Sequence, residues 1–269
     1  MRNPEVYQHL YNPYDLNVPQ IKILEWIKPH SRILEFGCAS GRVSRLLRDR
    51  LHCSVVGVET DSVLARVAEG VCEKVVQGDI ETDEVWAQVR GQYDYVLYLD
   101  VLEHLRDPWQ VLQISREQCF NPETKLIVSI PNVLVWHTRK ELLFGRFEYH
   151  SSGTLDNTHL RFFTLRTATK MLEESRFEIL RLDITWYLPI LSALYGNWLR
   201  LANPNAAKQL RKKLGLAASL APFLEQFSPS DHLGWVRLCN RMLGIPARIW
   251  PGLFGNHFVF MAELSQREK

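Results

Sequence analysis

Residues 32–41 read Arg-Ile-Leu-Glu-Phe-Gly-Cys-Ala-Ser-Gly, and residues 42–47 continue Arg-Val-Ser-Arg-Leu-Leu. Ile33, Leu34 and Phe36 form a short apolar run, small residues break it, and the pattern resumes with helical character. That is a buried strand, a tight turn and a helix start in direct succession. Gly37 and Gly41 let the backbone take positive φ and approach a ligand with no side chain between. The opening helix presents unpaired N–H groups, and Glu35 brings a carboxylate to the strand end. The combination suits a ligand with a polar, partly cationic head better than a pyrophosphate, which would want less negative charge.

Glycines in a turn discriminate little by themselves. A second signal follows at residues 54–59, Ser-Val-Val-Gly-Val-Glu, an apolar strand that ends in an acid. It lies about 20 residues beyond the glycines, where the carboxylate of Glu59 can accept hydrogen bonds from both hydroxyls of a ribose. The two strands together predict the adenosine-binding half of an open α/β sheet.

The remainder of the chain extends that sheet. Residues 1–17 are rich in Tyr, Asn and Pro, and with a helix over 18–27 they form an expected capping arm and helix, residues 1–30. Asp61 is placed to cap a helix running to about residue 70. Further strands are expected at 74–80, 93–100 and 125–130, the second of these nearly all apolar as a central parallel strand should be. Between the last two, a turn over 101–107 leads through Pro108 into a helix over 109–119. Residues 134–163 are less regular and carry Trp136, His137, His150 and His159. A helix over 167–175 with Ala168, Met171 and Leu172 on one face precedes a sixth strand, 177–187, and residues 256–264 read as a last strand. Repeated alternation of strand and helix predicts an α/β doubly wound, mostly parallel sheet. The expected organisation is a cofactor-binding domain over 31–183, a helical insertion over 184–255, and a final strand over 256–264 that returns to the sheet.

The net charge of +2 is unevenly spread. Residues 1–183 hold 22 Lys and Arg against 26 Asp and Glu, whereas residues 184–262 hold 8 against 2. The balance of +6 in the second region fits an anionic partner and equally a solvated basic face. No recognisable nucleic-acid module accompanies it, so nucleic acid is not an expected partner. Residues 184–199 are uncharged but shorter than the roughly 20 residues a spanning helix needs, and Pro189, Gly196 and Asn197 interrupt them. A span is therefore excluded, while contact with a membrane surface through residues 184–213 stays open as an alternative. No apolar stretch suited to a secretory signal follows Met1. Five scattered cysteines without a Cys-x-x-Cys pair fit reduced thiols, so the expected location is cytoplasmic.

Several of these stretches resemble, in order and spacing, the motifs of class I S-adenosyl-L-methionine (SAM)-dependent methyltransferases. They are residues 35–41, Glu59, Gly78-Asp79-Ile80 and the run Tyr-Asp-Tyr-Val-Leu-Tyr-Leu-Asp-Val-Leu-Glu-His-Leu-Arg-Asp-Pro at 93–108. The run His-Leu-Arg-Phe-Phe-Thr at 159–164 is similar to the branch that includes ubiquinone-type O-methyltransferases. The resemblance implies a seven-stranded Rossmann-like sheet whose last strand is antiparallel and inserted beside the sixth. It implies that Gly37, Cys38 and Gly41 line the methionyl part of SAM with Glu35 near its amino group, and that Glu59 holds the ribose. Asp79 would meet the adenine amino group, Ile80 would pack on the ring, and Asp100 to Leu102 would pass under the methionine moiety. One departure stands out, because the usual middle glycine of the loop is Ala39.

Methyl transfer from a sulfonium asks the protein mainly to align the nucleophile and exclude water. For a hydroxyl nucleophile a histidine base suits neutral pH. The candidates are His159 and His104, and the expected acceptor is a small, anionic molecule such as a sugar conjugate or lipid-linked metabolite. No metal is expected, since Glu103 and His104 lack a third ligand at a fixed spacing, and Asp156 with His159 is one pair only. Two rival readings are a SAM-binding partner subunit without activity and a nicotinamide-dependent oxidoreductase. The acid at Glu35 and the Val-Leu-Glu-His turn argue against the second.

Overall fold

The computed structural model describes residues 18–186 and 245–266. Seven strands form one sheet: β1 (Arg32–Phe36), β2 (Ser54–Glu59), β3 (Lys74–Gln77), β4 (Tyr95–Leu99), β5 (Lys125–Pro131), β6 (Phe177–Trp186) and β7 (Gly255–Leu264). Their order is β3-β2-β1-β4-β5-β7-β6. The first five pair in parallel, and β7 runs antiparallel to both β5 and β6. The expected sheet, with its last strand slotted beside the sixth, is the one observed.

Strand periodicity explains how both faces are filled. Successive side chains point to opposite faces, so Leu34, Phe36, Val96, Tyr98, Leu126 and Val128 enter one core while Ile33, Tyr95, Leu97 and Ile127 enter the other. Strands buried on both sides must read as unbroken apolar runs, which is why β1, β4 and β5 were visible in the sequence. On the first face Phe36 stacks on Tyr98 with ring centroids 4.7 Å apart, and Trp86 leans against Phe36 at 5.3 Å. Each such pair adds about 0.5–1.5 kcal/mol beyond burial.

The connections are helices with readable starts: α1 (Pro19–Lys22), α2 (Arg42–Leu51), α3 (Ser62–Ala68), α4 (Asp83–Val89), α5 (Pro108–Cys119), α6 (Trp136–Leu143), α7 (Leu165–Glu174), α8 (Ile245–Ile249) and α9 (Pro251–Phe254). Asp61 caps α3 by accepting from the N–H groups of Val63 and Leu64 at 2.8 and 3.1 Å. Asp107 caps α5 through Gln110 N at 3.0 Å, with Pro108 in the first turn where its missing N–H costs nothing. The helix expected over 18–27 is shorter, giving way after Lys22 to a 3-10 turn at Ile23–Glu25. α6, in the stretch read as irregular, is an addition.

β6 continues through Trp186, so Ile184, Thr185 and Trp186 belong to the sheet. Within the expected insertion, α8 and α9 are the described helices; residues 187–244, including Leu188, Arg211, Lys212 and Lys213, lie outside the described residues. Among the described residues no helix is long and apolar enough to cross a membrane.

Candidate functional site

The carboxyl ends of β1, β2, β3 and β4 meet the loops that carry most of the expected site residues. After Phe36 the chain turns sharply because Gly37 N and Cys38 N both donate to Val58 O, at 2.8 and 3.0 Å. Gly37, Ala39 and Gly41 all take left-handed backbone, with φ of 67°, 49° and 73°. Gly37 is obligatory for a second reason: a Cβ there would stand 2.6 Å from Val101 Cγ2. Ala39 adopts the conformation of the glycine it replaces, at a cost of roughly 1–2 kcal/mol. What holds it is a hydrogen bond from Ala39 N to Glu59 Oε2 at 2.9 Å.

Glu59 thus ties two loops together, its other oxygen accepting from Asp61 N at 2.9 Å. That oxygen, Oε1, also accepts from Thr60 Oγ1 at 3.3 Å; of the roughly four acceptor sites of a carboxylate, one on Oε2 remains. Asp79 is exposed at the end of β3 and uses Oδ1 to accept from Glu81 N at 2.9 Å. The neighbouring Ile80 is buried and packs with Val85 and Trp86, whose Nε1 donates to Ile80 O at 3.0 Å.

Glu35 sits deeper than the sequence implied. Its carboxyl is fully buried beneath α2 and accepts from Ser44 Oγ at 2.5 Å. Burial pushes its pKa up to about 8, helped by nearby Cys72 and Glu59 and opposed by the Ser44 hydrogen bond. The Cys38 thiol is also buried, and its contact with Cys72 together with burial raises its pKa. At the end of β4, Asp100 takes left-handed backbone (φ 56°) and accepts from Ser129 Oγ at 2.6 Å, with His257 Nε2 3.8 Å away. Leu102 is wholly buried in the core, so its main chain is what borders the strand end.

Beyond Asp100 a 3-10 turn, Leu102–His104, meets the loop carrying His159. Leu160 N and Arg161 N donate to Glu103 O at 2.8 and 3.0 Å, which docks that loop on the turn. The Arg161 guanidinium adds bonds to Arg106 O, one of them from Nε at 3.0 Å. The His104 and His159 rings meet edge to face with centroids 4.7 Å apart. His104 Nδ1 lies 3.1 Å from Thr158 O, and His159 Nδ1 lies 3.1 Å from Thr154 O. Carbonyls only accept, so each ring carries its proton on Nδ1. Burial lowers the His159 pKa, with further lowering from His104. Glu103 is 1 % exposed, and burial followed by repulsion from Asp100 raises its pKa well above the usual carboxylate range.

The sequence offered Glu103 and His104 no third ligand at a fixed spacing, and this docking brings His159 beside them. Ligand atoms of Glu103, His104 and His159 all lie within 4.8 Å of one another. The third donor arrives from a distant loop through tertiary hydrogen bonds, which fixed spacing in the sequence does not record. A separate open groove of about 370 Å³ lies past the end of β5, lined in part by Asn132, Arg139, Thr164, Arg166 and Gly252. The sequence did not single these residues out.

The profile of the methyltransferase domain family matches residues 9–182. The chain is 27% identical over 114 residues to the ubiquinone biosynthesis O-methyltransferase of Xanthomonas campestris pv. campestris (strain B100), covering 41% of this chain and 46% of that protein. It therefore spans about half the length of the curated relatives it matches. Among solved structures it is similar to a SAM-dependent methyltransferase from Archaeoglobus fulgidus (TM-score 0.53, 17% identity, 91% of this chain and 92% of that one). A SAM-dependent methyltransferase from Methanosarcina mazei gives a TM-score of 0.53 at 14% identity, over 91% and 98% of the two chains. At such identities the structures speak for the fold. The chain belongs to the methyltransferase domain family, whose methyl donor is S-adenosyl-L-methionine.

Proposed function

We propose that this chain transfers the methyl group of SAM to a hydroxyl oxygen of a small acceptor that carries phosphate or carboxylate. The observation that carries the reading is the left-handed run at Gly37, Ala39 and Gly41, locked to Glu59, on the same sheet edge as the His104–His159 pair. SAM supplies an activated methyl on a sulfonium; the protein supplies position, a dry site and a route for the proton.

The residues fit that cofactor. The glycine loop makes its left-handed turn at Gly37 and Gly41, packed closely on Val101, Ala68 and Val71, and this shape supports a methionyl group lying along its main chain beside Cys38. The unused acceptor site on Glu59 Oε2, with Oε1 once the weak Thr60 Oγ1 bond turns away, supports a role on the ribose hydroxyls. The exposure of Asp79 just past β3 supports its assignment to the adenine amino group, with Ile80 assigned to the ring. Asp100 and the main chain at Leu102 close the floor, and the buried Glu35 braces the loop from below rather than facing open solvent.

On the acceptor side, His159 Nε2 presents a lone pair in the tautomer its Nδ1 bond selects, and His104 stands beside it. Either can assist departure of the hydroxyl proton. The name of the Xanthomonas relative favours oxygen over nitrogen or carbon as the methylated atom. Arg139 and Arg166 on the groove past β5, and the +6 balance over residues 184–262, favour an anionic acceptor.

The test is to supply methyl-labelled SAM with hydroxylated acceptors in matched pairs, with and without a phosphate or carboxylate, and to follow S-adenosylhomocysteine (SAH) by mass spectrometry. Turnover of the anionic member supports the reading. Failure of the chain to bind SAH would end it.

A further inference from the structure

We propose that His257, on the last strand, is a positioning residue for the methyl donor. It steadies the carboxylate of Asp100, which meets the positive charge of SAM and so favours SAM over SAH, whose sulfur is uncharged. The inference rests on the SAM-binding reading and adds a residue that lies outside the sequence motifs.

Asp100 stands where the cofactor loop and the histidine pair meet. β1 and β4 pair in parallel through Phe36 and Tyr98, which sets the glycine turn beside the end of β4. The next residue, Val101, occupies the space that a Cβ on Gly37 would need. Toward the histidine pair, Asp100 is close enough to act on both His159 and Glu103. Asp100 itself holds left-handed backbone, φ 56°, which costs a residue with a side chain roughly 1–2 kcal/mol. Strain of this kind persists only where the surroundings over-determine it.

Those surroundings come from β5 and β7. Asp100 N donates to Ser129 O at 3.1 Å, and Ser129 Oγ donates to Asp100 Oδ1 at 2.6 Å. His257 Nε2 lies 3.8 Å from the same Oδ1, too far for a hydrogen bond but near enough for an electrostatic hold. Among the described residues, these contacts leave Oδ2 without a hydrogen bond.

The ring is fixed from its other side. Register sets His257 opposite Pro131 on β5 and Thr185 on β6, and His257 N donates to Thr185 Oγ1 at 2.9 Å. The Thr185 hydroxyl proton is then free for His257 Nδ1, 3.4 Å away. Asn256 Nδ2, which can only donate, stands 3.1 Å from the same nitrogen. Nδ1 therefore carries the lone pair and Nε2 the proton, the reverse of His104 and His159. An N–H is what faces Asp100. The His257 and Asp100 side chains are 24 % and 33 % exposed, so water screens the contact only in part.

A carboxylate held in place near the sulfur attracts SAM and has no such pull on SAH. Transfer of the methyl group removes the charge, and the attraction lapses with it, which eases release of the product.

The test measures SAM and SAH affinities of the full chain by calorimetry, for which no acceptor is needed. His257→Leu should weaken SAM at least about threefold more than SAH. His257→Gln, whose amide N–H can stand in for Nε2–H, should keep the preference within about twofold. Asp100→Asn, which suits left-handed backbone, should lose the preference by itself, and His257→Leu should then add nothing, because the ring acts through that carboxylate. Equal loss for both ligands in His257→Leu, or a further loss of preference on top of Asp100→Asn, would overturn the proposal. Nitrogen NMR of the ring at about pH 9, where imidazoles are neutral, needs no ligand: Nε2–H is expected, and Nδ1–H would overturn the assignment. Failure of the unaltered chain to bind either SAM or SAH would instead refute the cofactor reading, and this inference with it.

Discussion

Ala39 N donates to Glu59 Oε2 at 2.9 Å, so the residue that departs from the family's usual glycine is held in left-handed backbone by the acid at the end of the neighbouring strand. Glu59 therefore shapes the loop and, in the proposed reading, also serves the ligand's ribose. Its removal should damage both. Glu59→Ala should weaken SAH binding by about 1–3 kcal/mol, read by calorimetry, with a measurable drop in Tm. Unchanged affinity would remove Glu59 from the cofactor site.

Gly37→Ala should be severe although it adds one methyl group. The new Cβ meets Val101 Cγ2 at 2.6 Å and the backbone must hold φ 67°. A loss of at least about 2 kcal/mol is expected in chemical unfolding, together with weaker SAH binding. Adding Val101→Ala should recover only part, since it relieves the overlap and not the backbone strain. Full recovery in the double variant would mean that φ was irrelevant.

Replacing His159 by Ala should lower turnover by about 10²-fold while SAH affinity holds, if the ring serves the acceptor as proposed. A large loss of SAH affinity would reassign His159 to the cofactor or to the fold.

Stability should fall as pH rises through the neutral range, and Glu35 is the reason. Its carboxyl has a pKa of about 8 in the folded chain against 4.5 ordinarily, mainly through burial. The folded state thus holds a proton that the unfolded state has released. The contribution is full below pH 4.5 and is lost progressively up to about pH 8, of the order of 5 kcal/mol in total. Glu35→Gln, which keeps a neutral partner for Ser44, should flatten the Tm profile between those limits. An identical slope in both proteins would contradict the assignment.

Much of the sheet was legible because parallel strands buried on both faces leave unmistakable apolar runs, as at β4. The cap at Asp61 was readable because it acts within three residues. α6 was not, because its apolar residues do not define a buried face: Thr138 is its one buried residue, while Leu142 and Leu143 are exposed. The depth of Glu35 was equally invisible, since it depends on α2 folding over the strand end. The convergence of His159 on Glu103 depends on main-chain bonds made by Leu160 and Arg161, and almost any side chain at those positions could make them.

The antiparallel slot of β7 has a consequence for how the chain emerges from the ribosome. β5 is flanked on one side by β4 and on the other by a strand encoded near the far end of the sequence, residues 255–264. Until those residues are synthesised, β5 offers a bare row of N–H and C=O groups beside an apolar face, a template for pairing with another nascent chain. β6 cannot relieve this, because its place in the order lies beyond β7. Translation arrest anywhere between β6 and β7 would thus leave a sticky, unfinished sheet.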